Sequence, residues 1–471
     1  MIRIALPLLV LAALFFSVDT AGARANVLWI YVDDMSDWVG CYGHTAVATP
    51  NIDALAADGV RFERAYMPSP VCSTTRSALI TGQMQTSLGL HHHRTMIKEP
   101  LPEGLKTVPE HFRAGGFLTF NEAKDDYNFD LARTAMYSPE FKRPKNVKGH
   151  LIGLDVSWLE QLQGKPFFGQ IQLKGGKIGG ETGSKFPAAS RADQAKVEVP
   201  PYYPDDEVVR NGIARHYEQI AETDEQVGAI VAALKKFGLW ENTVVFFFTD
   251  HGCPLPRSKQ FLYEDGTKVP LIVCGPGLKK GVVRTDLVSG IDISATSLAI
   301  AGIEVPAAFE GIDLFAADFE PRDHVISARD RCGIAVDRIR AVRSERFRYI
   351  RNSHRDRALY QSQYRDGYAI FKQLRKLNAD GKLDSLQGSY FDSSKRPAEE
   401  LYDLANDPHQ TTNLADHPEH TAELKRHRDL LATWEKQTGD RGSEPESEAS
   451  LKLVFKAAKG KAPAHEFDFL R

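Results

Sequence analysis

The sequence predicts an α/β fold: a doubly wound, mostly parallel sheet joined to a smaller C-terminal α+β unit that carries an antiparallel sheet. Three observations point there. Apolar runs of strand length (NVLWIYV at 26–32, PFFGQIQL at 166–173, TVVFFF at 243–248) are continuous rather than alternating, as strands covered on both faces are. Helical stretches lie between them, and strand–helix alternation builds a parallel sheet with helices on both faces. Past about residue 341 the pattern changes. AVRSERFRYIRN alternates and turns tightly, the signature of antiparallel strands.

The chain opens MIRIALPLLVLAALFFSVDTAGARA. A basic start, an apolar run over 4–16 and the small-x-small step Ala23-Arg24-Ala25 predict a secretory signal peptide over 1–25, too short for a stable membrane span. No later stretch is long and apolar enough to span. The protein is therefore expected to be exported, soluble, and periplasmic or secreted. A catalytic α/β domain is expected over 26–340, an α+β subdomain over 341–440 and a polar, mobile tail over 441–471.

Within the first domain, NVLWIYV is a buried strand ending in Asp33-Asp34. NIDALAADGV predicts a helix stopped by Gly59, and 61–66 a short strand. VCSTTRSALITG, at 71–82, predicts a helix whose first turn Ser73, Thr74 and Thr75 can cap. A modest helix over 105–114, a strand over 117–120 and an amphipathic segment over 156–162 follow. The strand at 166–173 leads into Lys174-Gly175-Gly176-Lys177. The stretch 179–204, polar and rich in Gly and Pro, is too long for a simple connection and predicts a surface loop with a role at a site. The clearest helix is 217–237, with Tyr217, Ile220, Val227, Val231 and Leu234 on a face that is apolar except for Asp224. The strand 243–248 runs into Thr249-Asp250-His251-Gly252, 269–274 is a further strand and 292–301 a helix. In the second unit, 354–395 is polar and partly helical, 399–414 holds one short strand and a turn at Asp407-Pro408, and 421–437 is a charged amphipathic helix.

Hydrophobic residues make up 42% and charged residues 26% of the 471, which is ordinary globular composition. A net charge of −3 argues against nucleic acid as the main partner. Five cysteines are too few for a disulfide scaffold in an exported protein of this size. Their odd number leaves at least one unpaired or reserved for chemistry, and Cys72 is the best candidate.

In open α/β sheets, sites lie beyond the carboxyl ends of parallel strands. Two buried strands deliver Asp33-Asp34 and Asp250-His251 to that edge. Such acids repel unless a cation sits between them, so they read as a divalent-metal pocket. Oxygen ligands favour Ca²⁺ or Mg²⁺, and the histidine leaves Mn²⁺ or Zn²⁺ open. Cys72 and Arg76, four residues apart, share a helix face at an anion-attracting N-terminus. Lys124 and Asp126, Lys174 and Lys177, and Arg257 and Lys259 each follow a strand, as in a pocket for a multiply charged anion. His91-His92-His93 reads either as an exposed polar turn or as a proton-transfer or substrate contact near the Cys72 turn.

NVLWIYVDD, TPNIDALAADGVRFERAY, CSTTRSALITG, TVVFFFTDHG, LYEDGTKVPLIV and ELYDLANDP, in this order, resemble the type I, formylglycine-dependent sulfatases of the alkaline phosphatase superfamily. The resemblance covers nearly all of the chain after residue 25. CSTTRSALITG, RDRCGIAVDRIRAVR and KRPAEELYDL are most similar to the heparan N-sulfatase-like branch. The resemblance implies a sulfuric ester (or sulfamate) hydrolase acting on a sulfated carbohydrate. Cys72 matches the position oxidised to formylglycine by a formylglycine-generating enzyme. Its hydrate attacks sulfur and releases the alcohol or amine, and the sulfated hemiacetal left behind expels sulfate as it collapses to the aldehyde. Arg76 matches the residue that stabilises the modified side chain. Asp33, Asp34, Asp250 and His251 match the Ca²⁺ ligands, with Cys72 completing the set and His251 standing where many relatives carry Asn. Lys124 and Lys259 match sulfate-binding lysines.

Three departures stand out. The usual motif is Cys-x-Pro/Ala-x-Arg, whereas Thr74 fills its third position here. Asp126 and Lys177 fall at or near the places of two family histidines. Lys177, Asp126 or one of His91, His92 and His93 is therefore expected to take over proton transfer. Two alternatives follow from the same residues: a catalytically impaired protein that binds sulfated glycans, and a phosphoester or phosphonate hydrolase using the same metal pocket.

Overall fold

The computed structural model describes residues 24–142, 155–178 and 192–471. The expected signal peptide, up to residue 23, and the first half of the expected 179–204 loop, 179–191, lie outside them. Strands β1 (Asn26–Val32), β2 (Gly59–Tyr66), β3 (Leu118–Asn121), β4 (Phe167–Leu173), β5 (Thr243–Thr249), β6 (Lys268–Cys274) and β7 (Val282–Ser289) form one sheet in the order β3-β4-β1-β5-β6-β2-β7. β1 is parallel to both β4 and β5, β3 to β4, and β2 to β7. β6 alone is reversed, antiparallel to β5 and β2. A parallel return would need a crossover to the far edge. The link from β5 to β6 instead stays at the carboxyl edge, with only the short helix Glu264–Thr267 in it.

β1 shows why the sheet is covered on both sides. All seven of its residues are buried, and successive side chains point to opposite faces. Leu28, Ile30 and Val32 join a core with the long helix Glu207–Lys236 (Val209, Ile213, Ile220, Val227, Leu234) and helix α1 (Pro50–Ala57). Val27, Trp29 and Tyr31 join the opposite core, with α2 (Cys72–Thr81), α3 (Val108–Ala114) and the helix Asp292–Ile300. Each such aliphatic side chain contributes roughly 1.5–3 kcal/mol on burial, which sets the register that brings the strand ends level. The long helix begins ten residues before the expected 217, at an Asp206 N-cap that accepts from Val208 N at 2.9 Å. Asp224, the polar exception on its apolar face, accepts from Asn51 N and Ile52 N at 3.0 and 2.8 Å and so caps the first turn of α1.

The second sheet is antiparallel, in the order β11-β10-β9-β8, built from β8 (His324–Arg329), β9 (Ile339–Ser344), β10 (Phe347–Asn352) and β11 (Glu399–Asp403). The expected unit boundary at 340 falls inside β9, because β8 comes from before it and pairs Ile326 with Val342. This sheet shares a core with the helix Thr421–Thr438 (Leu424, Leu431) and with Ala78 of α2, so it braces the helix that carries Cys72.

The tail does not run free. Helix Glu448–Ala457 and the turn His465–Leu470 bury Leu451, Val454 and Phe467 against Ile334 and Val336. Apolar residues spaced three apart in a charged stretch were too sparse to read as a core face. Arg441 N donates to Thr86 O at 3.1 Å, and His91 is buried beside Arg340, Asp440 and Arg441. Burial, and then the charge of Arg340, lower the His91 pKa to about 4. No helix among the described residues is long and apolar enough to cross a membrane.

Replacing Phe467 with Ala should lower the free energy of unfolding by about 3 kcal/mol, read by urea denaturation. Phe469→Ala, at a side chain 46% exposed, should cost far less. His91 titrates near 6.5 unfolded and about 4 folded, so the unfolded chain takes up the proton first. Its contribution to stability is complete above pH 6.5 and lost as pH falls, by roughly 3 kcal/mol at pH 4. His91→Gln should flatten the stability–pH curve over that window.

Candidate active site

Register delivers the site. Val32 pairs with Leu173 on one side and Thr249 on the other, so Asp33-Asp34, Lys174–177 and Asp250-His251 leave the sheet at one level. Asp34 N donates to Asp250 Oδ1 at 3.0 Å, and Asp34 takes a left-handed backbone, φ 52°, which aspartate tolerates better than most residues. Gly175 and Gly176 explain the Lys-Gly-Gly-Lys sequence. A Cβ on them would lie 2.2 Å from Asp33 O and 1.9 Å from Asp34 O, so only glycine lets the turn pass under the acids and bring Lys177 back.

α2 places Cys72 at its first position. The expected side-chain capping is absent: the N-cap is Val71, and the hydroxyls point backward. Thr74 Oγ1 donates to Ser69 Oγ at 2.6 Å and lies 3.0 Å from Val71 O, while Thr75 Oγ1 donates to Ser69 O at 2.6 Å. They pin the Pro68–Pro70 approach rather than the helix amides. Arg76, one turn on, is buried. It donates to Asp33 Oδ1 at 2.5 Å, Asp250 Oδ2 at 3.3 Å and Gln172 Oε1 at 2.6 Å, with its Cζ 4.1 Å from the Tyr31 ring centroid.

Around Cys72 Sγ lie His251 Nε2 at 3.3 Å, Lys259 Nζ at 3.5 Å, and Lys177 Nζ and Asp34 Oδ1 at 3.8 Å. Burial opposes ionisation of the thiol, but Lys124, Lys177 and Lys259 outweigh it and hold its pKa well below the ordinary value. Lys259 bonds Asp34 Oδ2 at 2.6 Å and Lys177 bonds Asp33 Oδ2 at 3.1 Å. Those carboxylates overcome the burial of both ammonium groups, which stay charged. Lys124 Nζ holds both Asp33 oxygens at 2.9 and 3.0 Å. Asp250 is pushed up to about 7 by burial, against the pull of His251, with Asp33 and Cys72 adding to the rise. His251 Nδ1 donates to Gly252 O at 2.8 Å, which leaves Nε2 for the centre.

Ligand atoms of Asp34, Cys72, Asp250 and His251 lie within 4.8 Å of one another, all buried. Two carboxylates crowded enough to push one towards neutrality, beside an imidazole nitrogen, suit a divalent cation. Asp33, expected in the same set, has its oxygens turned to Arg76, Lys124 and Lys177.

Not all expected residues gather here. Asp126 stands at the rim, paired with Arg94, and its Oδ2 is 3.4 Å from Lys124 Nζ. The histidine run splits. His93 Nδ1 meets Cys332 Sγ at 3.4 Å and its ring stacks on Tyr364. His91 and His92 turn away towards residues 440–446, with rings 4.3 Å apart. Arg257 serves as a strut rather than an anion ligand: it is buried over the Tyr263 and Tyr202 rings and donates to His409 O and Gln410 O. Sequence reasoning passed over Gln172, Tyr31, Arg94, Cys332 and Tyr364. Only the first was legible, since glutamines two apart in PFFGQIQL put a polar stripe on one face of a buried strand.

Comparison with known proteins agrees with this geometry. The sequence model of the sulfatase family matches residues 25–303, and that of the C-terminal region of N-sulphoglucosamine sulphohydrolase matches 257–363. An ulvan-active sulfatase of Formosa agariphila is 32% identical over 465 residues, covering 91% of this chain and 78% of that protein. The human N-sulphoglucosamine sulphohydrolase is 27% identical over 473 residues, covering 88% and 90%. A solved 2-O GAG sulfatase shares the fold, with a TM-score of 0.64 at 22% identity over 90% of this chain and 94% of that one. The chain belongs to the sulfatase family and is a sulfuric ester hydrolase.

Proposed function

We propose that the protein is exported and removes sulfate from a sulfated saccharide (as ester or sulfamate), with residue 72 in its formylglycine form and a divalent cation, Ca²⁺ in first place and Mg²⁺ or Mn²⁺ as substitutes. One observation carries the reading. Buried ammonium groups of Lys177 and Lys259 stand within 3.8 Å of the residue 72 side chain, above a floor of carboxylates. The names of the two curated relatives, ulvan-active sulfatase and N-sulphoglucosamine sulphohydrolase, support a saccharide. The N-terminal sequence supports export, and maturation would require a formylglycine-generating enzyme that accepts Thr74 in the motif.

Asp34, Asp250 and His251 would hold the cation together with residue 72, and Asp33 lies within reach of the same floor. The bound cation supplies Lewis-acid polarisation of sulfate oxygens, and formylglycine supplies the hydrated nucleophile. Lys124, Lys177 and Lys259 neutralise the sulfate and the charge that grows on it in the transition state. Arg76 holds Asp33 and Asp250 in place. Proton donation to the leaving group falls to His93. Asp126 is held below the ordinary carboxyl range, where burial is outweighed by Lys124 and Arg94, so it has no proton to give, and Lys177 binds its proton too tightly. Burial would lower the His93 pKa, but the neighbouring Cys332 raises it above the ordinary value. This shift favours the protonated form of His93, and activity depending on it falls as pH rises past its pKa.

Coexpressed with a formylglycine-generating enzyme, the protein should show an aldehyde at residue 72 in the mass spectrum of its tryptic peptide. It should also release sulfate from sulfated saccharides and aryl sulfate far faster than phosphate from aryl phosphate. Cys72→Ala should abolish this. A plain thiol at residue 72 in a host that matures other sulfatases, or faster phosphate release, would overturn the reading. His93→Gln should lower kcat on a saccharide sulfate by about 10²-fold and remove the alkaline fall. On 4-nitrophenyl sulfate, whose leaving group needs no proton, the loss should stay under about tenfold. Equal loss on both would rule out His93 as the donor.

A further inference from the structure

Side-chain exposure rises in steps outward from Cys72. Asp33, Asp250 and His251 are at 0%, Lys259 at 3%, Lys177 at 7%, Lys124 at 9%, Asp126 at 14% and Arg94 at 53%. The cleft therefore opens past Asp126 and Arg94. Tyr364 stands on the same rim, 40% exposed, stacked on His93 and 6.0 Å from Lys259 Nζ.

Two features mark the Arg94–Asp126 pair as built for this place. Both residues have left-handed backbones, φ 52° and 49°, a conformation that non-glycine residues adopt rarely and that clusters at ligand clamps. Their side chains also meet in a two-pronged bond, Arg94 Nε to Asp126 Oδ1 at 3.0 Å and Nη2 to Oδ2 at 3.1 Å. Arg94 N donates to Ser73 Oγ at 2.8 Å, which ties the pair to the residue after the nucleophile. Among the described residues, Arg94 Nη1 makes no hydrogen bond.

We infer that Arg94 and Asp126 read the hydroxyls flanking the scissile sulfate, selecting a sugar with free vicinal hydroxyls over one carrying a second anionic group there. This rests on the saccharide sulfatase reading above. The pair is neutral in sum and offers a donor, Nη1, beside carboxylate lone pairs. That pattern matches adjacent hydroxyls, which both donate and accept. A carboxylate or second sulfate would have to displace Asp126 from Arg94, and Asp126 would repel it. The Tyr364 ring offers the same sugar an apolar face.

The test takes the best substrate from a panel of methyl glycoside monosulfates, together with its analogues lacking the hydroxyls next to the sulfate. Arg94→Met should raise KM for the hydroxylated substrate so that kcat/KM falls 10–100-fold, while the deoxy analogue, already poor for the native protein, loses less than twofold. Arg94→Lys, which keeps the charge but not the fork, should behave like Arg94→Met. Equal losses on both sugars, or no loss on either, would overturn the inference, as would preference of the native protein for a disulfated sugar. If protein proven to carry formylglycine turns over none of the panel, the saccharide sulfatase reading fails. The inference is then judged by calorimetric binding to the Cys72→Ser variant of the tightest-binding sugar of the panel and its deoxy analogue, where Arg94→Met must weaken only the hydroxylated one. Thermal melts matched to the native protein exclude a folding defect.

Discussion

The Arg76 guanidinium lies beneath the carboxyl edge of the large sheet, with Asp33 and Asp250 at its donors, Gln172 beside them and the Tyr31 ring against its face. In one contact set it joins β1, β4, β5 and the helix that begins at Cys72. A buried charge is costly unless every partner is in place, and here the partners are themselves acids that would repel one another without it. The same network that makes the acids tolerable therefore fixes where residue 72 stands. It works only whole, because each strand end is positioned by the apolar strand behind it.

The reversed strand β6 matters for the same centre. A parallel sheet ordinarily sends the chain away from the carboxyl edge through a crossover. Here the chain after β5 remains at that edge through residues 250–267, and Lys259 reaches Asp34 from it at 2.6 Å. From the other side, Gly175 and Gly176 let Lys177 return under the β1 acids. Cations thus arrive on two loops that a regular doubly wound sheet would have directed elsewhere. Charge balance follows: Arg76, Lys124, Lys177 and Lys259 face Asp33, Asp34 and Asp250, while Arg94 and Asp126 cancel at the rim. Where residue 72 carries no charge, the four cations outnumber the three carboxylates, as a pocket for a sulfate group needs.

Much of this was legible in the sequence. Continuous apolar strands ending in Asp33-Asp34 and Asp250-His251 announced both the sheet and its working edge, because a strand buried on both faces leaves only its end for chemistry. Cys72 and Arg76 shared a face because helix geometry alone requires it. The rest depended on tertiary contacts. β7, with Arg284 and Asp286 in its middle, is a partly exposed edge strand and carries no clear period. β8 declared itself only by pairing with β9. His91, His92 and His93 read as one unit, yet backbone bonding of His93 to Arg331 sends one ring towards the centre and two away. Arg257 carried the charge expected of an anion ligand, but the rings of Tyr263, six residues on, and of the distant Tyr202 claimed it. Local spacing says which residues share a face, but not which distant segment covers it.

The packed tail has a consequence for the order in which the molecule is finished. Glu446 pairs with Arg331, whose carbonyl oxygen accepts from His93 N, and Phe467 closes the apolar cluster under Ile334 and Val336. Those two side chains leave the ribosome long after Cys72. The wall of the cleft formed by 91–94 and 331–336 thus stays unsupported until those residues are made. Under the formylglycine reading, in which residue 72 would meet a modifying enzyme before it is buried, that delay is a time window, and it closes once Glu446 and Phe467 have packed.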